Sequence, residues 1–311
     1  MKLFIYIILF SILSSCASKE VKCETCDKIN DNAVVIFQEG DTAKALAIFD
    51  SLSKAKPDYL SSFLNKGYLL EQLGEYDSAL YYYSICIDKN NEFMNALYNR
   101  GALHQKFSNN NLAYEDYLKL YELGYEKKAL FLDLSQLLHD KGETEKAIEV
   151  VNQGLKTYDK FSFGYDKKAT FLMDQKKFKD AYDNQTIAIN IKPQTAAYYN
   201  SRASILNNMK RYNDAIEDCK KAISIDSLYP YTYNTLGNSY EIIDSIKESL
   251  YMYDKAIKLK PDFAIAFLNK GILFINIKDT VQACEYISAG INLGEVFSNN
   301  EYNEFYLKNC K

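Results

Sequence analysis

Residues 60–93 read LSSFLNKGYLLEQLGEYDSALYYYSICIDKNNEF, and this stretch decides the fold of the chain. It contains two short amphipathic patterns separated by Gly74 and Glu75. Apolar residues recur at helical spacing in both halves, as at Leu69 and Leu73 in the first. The stretch therefore predicts a helix, a tight turn and a second helix.

The pattern of this stretch recurs at a step of 34 residues without insertion or deletion. With Leu60 as position 1, positions 8 and 20 hold only Gly, Ala or Ser in eight successive repeats, and position 27 is small in six. Helices packed about 8–10 Å apart leave no room for a branched side chain at their contact. These positions therefore mark where paired helices touch. The repeats are 26–59, 60–93, 94–127, 128–161, 162–195, 196–229, 230–263 and 264–297.

Turn and stop signals fall at fixed positions within the repeat. Three repeats have glycine at position 15, where a residue with positive φ ends a first helix. Three have proline at position 32, where it stops the second helix. The residues are Gly40, Gly74 and Gly142, and Pro57, Pro193 and Pro261. We therefore expect an all-α fold, an α-solenoid of eight 34-residue helix-turn-helix repeats.

The small residues at positions 8, 20 and 27, an aromatic or aliphatic residue at position 24 and the proline at position 32 resemble the tetratricopeptide repeat. The resemblance covers residues 26–297. One departure is position 4, which lacks the family's tryptophan because the chain contains none. The resemblance implies stacked helix pairs whose first helices line a concave surface that binds protein or peptide partners.

The N-terminus carries a separate signal. Leu3 to Leu13 form an apolar run of 11 residues, which is too short to span a bilayer because a spanning helix needs about 20. The run is typical of a secretory signal, and the sequence 13–16, LSSC, resembles a bacterial lipobox. We expect a lipoprotein signal peptide over 1–15 and lipid attachment at Cys16. The alternative is an ordinary signal peptide with an incidental cysteine.

The remainder of the mature chain then divides into a tether over 16–25, the repeats and a C-terminal capping helix over 298–311. Lipidation predicts attachment in the cell envelope, at the outer membrane, facing either the periplasm or the cell surface. Only 3 of the 37 basic residues are arginine, and no basic stripe is visible, so no nucleic-acid partner is expected.

Seven cysteines in an exported chain invite pairing. Cys284 lies on the second helix of the last repeat and Cys310 near the end of the capping helix, so we predict a disulfide between them. Its loop closure is worth about 3–4 kcal/mol. Cys23 and Cys26 form either a local disulfide or two free thiols.

Two further cysteines fall at core positions of the repeat, where a buried thiol packs as a small hydrophobic group. Cys86 is at position 27 and Cys219 at position 24, so both are expected in the core.

No constellation typical of catalysis is present, so we expect a protein that is not an enzyme and has no cofactor and no metal site. There is no metal-binding histidine pair, nucleophile elbow, phosphate loop or glycine-rich nucleotide motif. The two histidines fall on different repeats. We expect His104 in the core and His139 on the groove side, near Asp140.

The family resemblance places the partner groove at positions 2, 5, 6, 9, 12 and 13 of each repeat. Carried over to this chain, that lining is rich in asparagine and tyrosine. Asparagine amides can both donate to and accept from a peptide backbone, and tyrosine adds rigid amphipathic area. The residues expected to contact a partner are Asn65, Tyr68, Tyr98, Asn99, Gln136, His139, Asp166, Thr170, Asn200, Asn234, Asn238 and Asn269.

Two functions fit this lining. The preferred one is a membrane-anchored scaffold that binds protein or peptide partners in the bacterial cell envelope. The alternative is a component that binds a glycan or peptidoglycan fragment in an uptake or remodelling system.

Overall fold

A computed structural model describes residues 23–295 and 300–310. All regular secondary structure within these ranges is α-helical, as predicted, and it comprises 17 helices. The chain divides into two compact units, with the boundary between Glu126 and Lys127. The predicted signal peptide, Cys16 and the tether up to residue 22 lie outside the described residues.

The first unit contains three helix pairs. They are α1 (Glu24–Gln38), α2 (Thr42–Ala55), α3 (Leu60–Gln72), α4 (Tyr76–Lys89), α5 (Met94–Lys106) and α6 (Asn110–Glu122). The two helices of each pair pack against each other, and each pair packs on the next. The first helices α1, α3 and α5 also contact one another in order.

The second unit contains five helix pairs and a final helix. They are α7 (Lys128–Asp140), α8 (Thr144–Thr157), α9 (Ser162–Asp174), α10 (Phe178–Ile191), α11 (Ala196–Asn208), α12 (Tyr212–Ile225), α13 (Pro230–Ile242), α14 (Ile246–Leu259), α15 (Ala264–Asn276), α16 (Thr280–Asn292) and α17 (Asn300–Asn309). The first helices α7, α9, α11, α13 and α15 lie side by side in that order.

The predicted register is correct in both units. From Leu60 onward every first helix begins at position 1, and from Thr42 onward every second helix begins at position 17. The exception is α1, which begins at Glu24, so the last two residues assigned to the tether are helical instead. Cys23 caps this helix, because its Sγ accepts from the backbone N–H of Cys26 at 3.3 Å.

The turn within each repeat needs a left-handed residue at position 15. All eight residues there have positive φ, between 59° and 96°. The N–H groups that follow each first helix then close its last carbonyls, as when Glu75 N–H donates to Leu70 O at 2.9 Å. Only three of the eight are glycine. The others, which carry the steric cost of a Cβ in this conformation, are Ser108, Lys176, Lys210, Asp244 and Lys278.

Position 8 determines how closely the two helices of a pair approach. Ala33, Ser135, Ala169 and Ala203 are fully buried there. Where position 8 is glycine, the ring of a position-24 tyrosine fills the space in three of the four repeats. A Cβ added to Gly237 would lie 2.6 Å from Cε1 of Tyr253. Glycine and tyrosine are therefore complementary in volume across this contact.

The glycine–tyrosine pair gives a direct test of this packing. Gly237→Ala should lower the free energy of unfolding by about 1–3 kcal/mol, because the added methyl group overlaps a ring that has no space to move into. In a Tyr253→Val background the same change should cost less, since the fourth repeat buries both a larger position-8 residue, Ser135, and a smaller position-24 residue, Val151. Chemical denaturation of the four proteins measures the coupling. Equal costs in both backgrounds would contradict the proposed contact.

A second recurring contact joins adjacent repeats through a cation at position 7. Arg202 donates from Nε and Nη2 to the two carboxylate oxygens of Asp218 on α12, both at 2.7 Å, and from Nη1 to Thr186 on α10 at 3.3 Å. One side chain thus links a first helix to the second helices of its own and the preceding repeat. We call this contact the position-7 bridge. It is formed by Lys66, Arg100, Arg202 and Lys270.

The position-7 bridge should carry stability that surface ion pairs do not. Arg202→Met should lower the free energy of unfolding by about 3 kcal/mol, because the carboxylate of Asp218 is left buried without its partner. The control is Arg211→Met, which breaks a solvent-exposed pair with Asp214 and should leave stability almost unchanged. Urea denaturation of both variants decides the point, and similar losses would contradict a special role for the bridge.

Disulfides lie near both ends of the described chain. Cys23 is bonded to Cys26, and this pair packs against Leu52 and Tyr59 at the start of the first unit. Cys284 on α16 is bonded to Cys310, which follows α17. Residues 298, 299 and 311 of the predicted capping helix lie outside the described residues.

The core cysteines and the capping helix lie where the sequence placed them. Cys86 and Cys219 are buried free thiols, and burial raises the pKa of Cys219 above its ordinary value. Phe305 and Tyr306 of α17 pack against the last helix pair. The apolar end of the array is therefore covered by α17.

Candidate functional site

The predicted groove residues lie on first helices in both units. We call the surface formed by positions 2, 5, 6, 9, 12 and 13 of the first helices the first-helix face of each unit. The face of the first unit holds Asn65, Tyr68, Tyr98 and Asn99. The face of the second unit holds Gln136, His139, Asp166, Thr170, Asn200, Asn234, Asn238 and Asn269.

Several of these asparagines bind neighbouring helices. Asn65 Nδ2 donates to Asn30 Oδ1 at 3.1 Å, which joins α3 to α1. Asn269 Nδ2 donates to Asn234 Oδ1 at 3.0 Å and to Asn238 Oδ1 at 3.2 Å, which joins α15 to α13. Asn234 is only 8% exposed. These amides therefore fix the spacing of first helices, and less of their hydrogen-bonding capacity remains for a partner.

The position-24 tyrosines reach the first-helix face from behind, a feature that sequence reasoning missed. Tyr83 comes from the second helix α4, its ring passes Gly67, and its hydroxyl donates to Glu71 Oε2 at 2.7 Å. Tyr253 does the same for Glu241 Oε2 at 2.8 Å. The recurrence of glycine at position 8 with tyrosine at position 24 was the available signal.

His139 lies on the face of the second unit, as predicted, and its ring contacts Asp174 and Thr144. Its Nε2 lies 3.1 Å from Asp174 Oδ2 on α9, and its Nδ1 lies 3.1 Å from Thr144 Oγ1. Asp140 instead accepts from Gln136 Nε2 at 2.6 Å. The contact of His139 with Asp174 therefore joins α7 to α9 across the face.

Three carboxyl groups of this face are held away from water. Burial raises the pKa of Asp133 to about 6, and the charge of Lys167 only partly offsets this effect. Burial also raises the pKa of Asp166, against the hydrogen bond from Gln185. Burial also raises the pKa of Glu241, and hydrogen bonds from Tyr253 and Asn276 only partly offset this effect. All three carboxylates lack direct ion pairs among the described residues.

Two buried amide oxygens of the second unit also lack donors among the described residues. Gln185 is fully buried at position 24, and its Nε2 donates to Asp166 Oδ1 at 2.8 Å and to Tyr198 O at 3.2 Å. Its Oε1 has no hydrogen-bond partner, and neither does the buried Oδ1 of Asn200 on the next first helix. This part of the face therefore has more acceptors than donors.

Two further properties of the described residues bear on the kind of site. They contain no group of three or more His, Cys, Asp or Glu side chains placed to hold a metal ion. None of the helices between Glu24 and Asn309 is long and apolar enough to cross a membrane.

Two family models of the tetratricopeptide repeat match separate parts of the sequence. One matches residues 34–91 and the other residues 196–227. Both segments end at position 32 of a repeat, at residues 91 and 227. These two segments are tetratricopeptide repeats.

Two solved structures share the fold at low sequence identity. A tetratricopeptide repeat protein from Parabacteroides merdae has a TM-score of 0.60 and 15% identity, covering 87% of this chain and 100% of that one. A chain of the APC/C hetero-tetramer Cut9-Hcn1 has a TM-score of 0.63 and 13% identity, covering 92% of this chain and 56% of that one. At these identities the likeness concerns the fold.

A curated relative is similar to part of the chain. The UDP-N-acetylglucosamine–peptide N-acetylglucosaminyltransferase of Giardia intestinalis is 26% identical over 137 residues. The match covers 42% of this chain and 9% of the relative. The chain therefore spans less than a tenth of the length of that protein.

Proposed function

We propose that this chain is a non-catalytic scaffold that binds a protein or peptide partner on the first-helix faces of its tetratricopeptide repeats. The observation that carries the proposal is the unfilled hydrogen-bonding capacity of the second unit. Asn200 Oδ1 accepts no hydrogen bond from the described residues, and Asp133 carries a carboxylate without an ion pair. Buried polar groups are normally paired, so groups left unpaired on an open face favour a ligand that supplies the missing donors.

Aromatic side chains on the same faces add contact area for a partner. Tyr68 on α3 is 40% exposed and Tyr231 on α13 is 39% exposed. Tyrosine buries a large area at a low cost in side-chain entropy, and it is therefore frequent at protein interfaces. Within the second unit, a bound segment that crosses several first helices would contact Tyr231 and the acceptor groups together.

Photo-crosslinking can locate the partner-binding face with matched tyrosines. Tyr68 and Tyr231 are each replaced by a photoreactive phenylalanine analogue, and so are Tyr81 and Tyr251, which are 62% and 56% exposed on second helices. We expect a discrete protein adduct in intact cells from the first pair and not from the second. Mass spectrometry identifies the adduct. Adducts from all four positions, or only from second helices, would contradict the proposal.

We further propose that the scaffold is anchored by lipid at Cys16 in the bacterial cell envelope, at the outer membrane. The apolar run before Cys16 and the short tether after it support this arrangement. The disulfides Cys23–Cys26 and Cys284–Cys310 agree with it, since such bonds persist in oxidising compartments outside the cytosol. Two or more acyl chains would hold the protein stably at the membrane surface.

Metabolic labelling tests the anchor. An alkyne fatty acid should label the wild-type protein and fail to label Cys16→Ser, because the acceptor thiol is gone. The matched control is the double variant Cys23→Ser/Cys26→Ser, which removes two nearby cysteines and should keep its label. Intact mass should place the mature N-terminus at Cys16. A label that persists in Cys16→Ser would rule out this attachment site.

A further inference from the structure

The first-helix face of the second unit is acidic. At its six positions the helices α7, α9, α11, α13 and α15 together carry five carboxylates and one lysine. The lysine is Lys167, and its Nζ donates to Gln136 Oε1 at 2.8 Å. The carboxylates are Asp133, Asp140, Asp166, Asp174 and Glu241. The one cation of the face is thus bound to a neutral amide.

Asp133 and Asp166 lie on the first helices α7 and α9, which pack side by side. The charge of Lys167 acts on both carboxyl groups, and in each it is outweighed by desolvation. A carboxyl group whose pKa is raised by folding favours the folded state in its protonated form, so its ionised form costs stability near neutral pH. Such a cost is common where a carboxylate serves a ligand.

Gln185 provides a second and independent observation at the same place. Its side chain is fully buried, and it holds the carboxylate of Asp166 from the second helix α10. Its own Oε1 has no donor, and the buried Oδ1 of Asn200 on α11, the next first helix, also lacks one. The neighbouring repeats place hydrophobic or tyrosine side chains at the equivalent of Gln185, so this polar insertion is particular to the fifth repeat. We call Asp133, Asp166, Gln185 and Asn200 the acceptor cluster.

We infer that the acceptor cluster binds a cationic side chain, lysine or arginine, of a basic segment in the protein partner. This inference rests on the proposed scaffold function and names the chemistry of the partner. An ammonium or guanidinium group supplies only donors, which matches a site composed of acceptors. It would also neutralise carboxylates that are already partly desolvated, and this is where a charge pair contributes most to binding.

A direct binding assay tests this inference. The probe is a fluorescein-labelled dodecapeptide of alternating lysine and serine, and its counterpart has glutamate in place of lysine. Fluorescence anisotropy with the full chain should show saturable binding of the lysine peptide, weakened by added salt, and no binding of the glutamate peptide. Equal binding of both peptides, or of neither, would overturn the inference.

Charge-matched variants locate the site. Asp133→Asn/Asp166→Asn should weaken binding of the lysine peptide by about tenfold or more, because both charges facing the cation are lost. Asp180→Asn/Asp183→Asn removes the same charge from exposed positions of α10 and should change the affinity by less than about twofold. Equal losses in the two variants would indicate a general effect of net charge and would overturn the assignment.

Thermal unfolding separates a binding role from a structural one. Asp133→Asn/Asp166→Asn should unfold at the same or a higher temperature than the wild type near neutral pH, because two desolvated charges have been removed. A lower unfolding temperature would show that the carboxylates hold the fold and would count against the inference. The photo-crosslinking experiment tests the scaffold function separately. If a partner crosslinks at Tyr231 but the protein does not bind the lysine peptide, the scaffold function stands and this inference is wrong.

Discussion

The close approach of the two helices in each repeat is the constraint on which the rest of the structure depends. At position 8 there is space for a hydrogen, a methyl or a hydroxymethyl group, and the residue at position 24 adjusts to what remains. Gly237 faces Tyr253, whereas Ala203 belongs to a repeat with Cys219 at position 24. The depth of this contact sets the distance between a first helix and its partner, and thereby the spacing of first helices along each unit.

The fold could be predicted from the sequence because its main determinants are local and periodic. The small residues at positions 8 and 20 define a register that predicts the first residue of most helices. The turns were harder to see, since only three of the eight left-handed residues are glycine, and Lys176 or Lys210 carries no such signal. Position-7 bridges were also missed, because Arg202 meets Asp218 across sixteen residues of sequence and a helix boundary.

The site was predicted in position but not in chemistry. Family resemblance placed Asn65, Asn234 and Asn269 on the first helices, where the structure has them. It could not show that their amides bind one another, because hydrogen bonds between repeats depend on the rotation of each helix about its axis. Gln185 illustrates the opposite case, since a departure from the usual position-24 residue marked the repeat with unpaired acceptors.

The position-24 tyrosines that pass a position-8 glycine determine how the first-helix face can change. The ring of Tyr83 passes Gly67, and its hydroxyl donates to Glu71 on the first-helix face. The polarity of this face therefore depends partly on the packing of the interior. Exchanging this buried glycine for alanine would crowd the ring and so disturb the hydrogen bond to Glu71 without changing any exposed residue. The polarity of the first-helix face is therefore coupled to the packing at positions 8 and 24, and the two should change together in evolution.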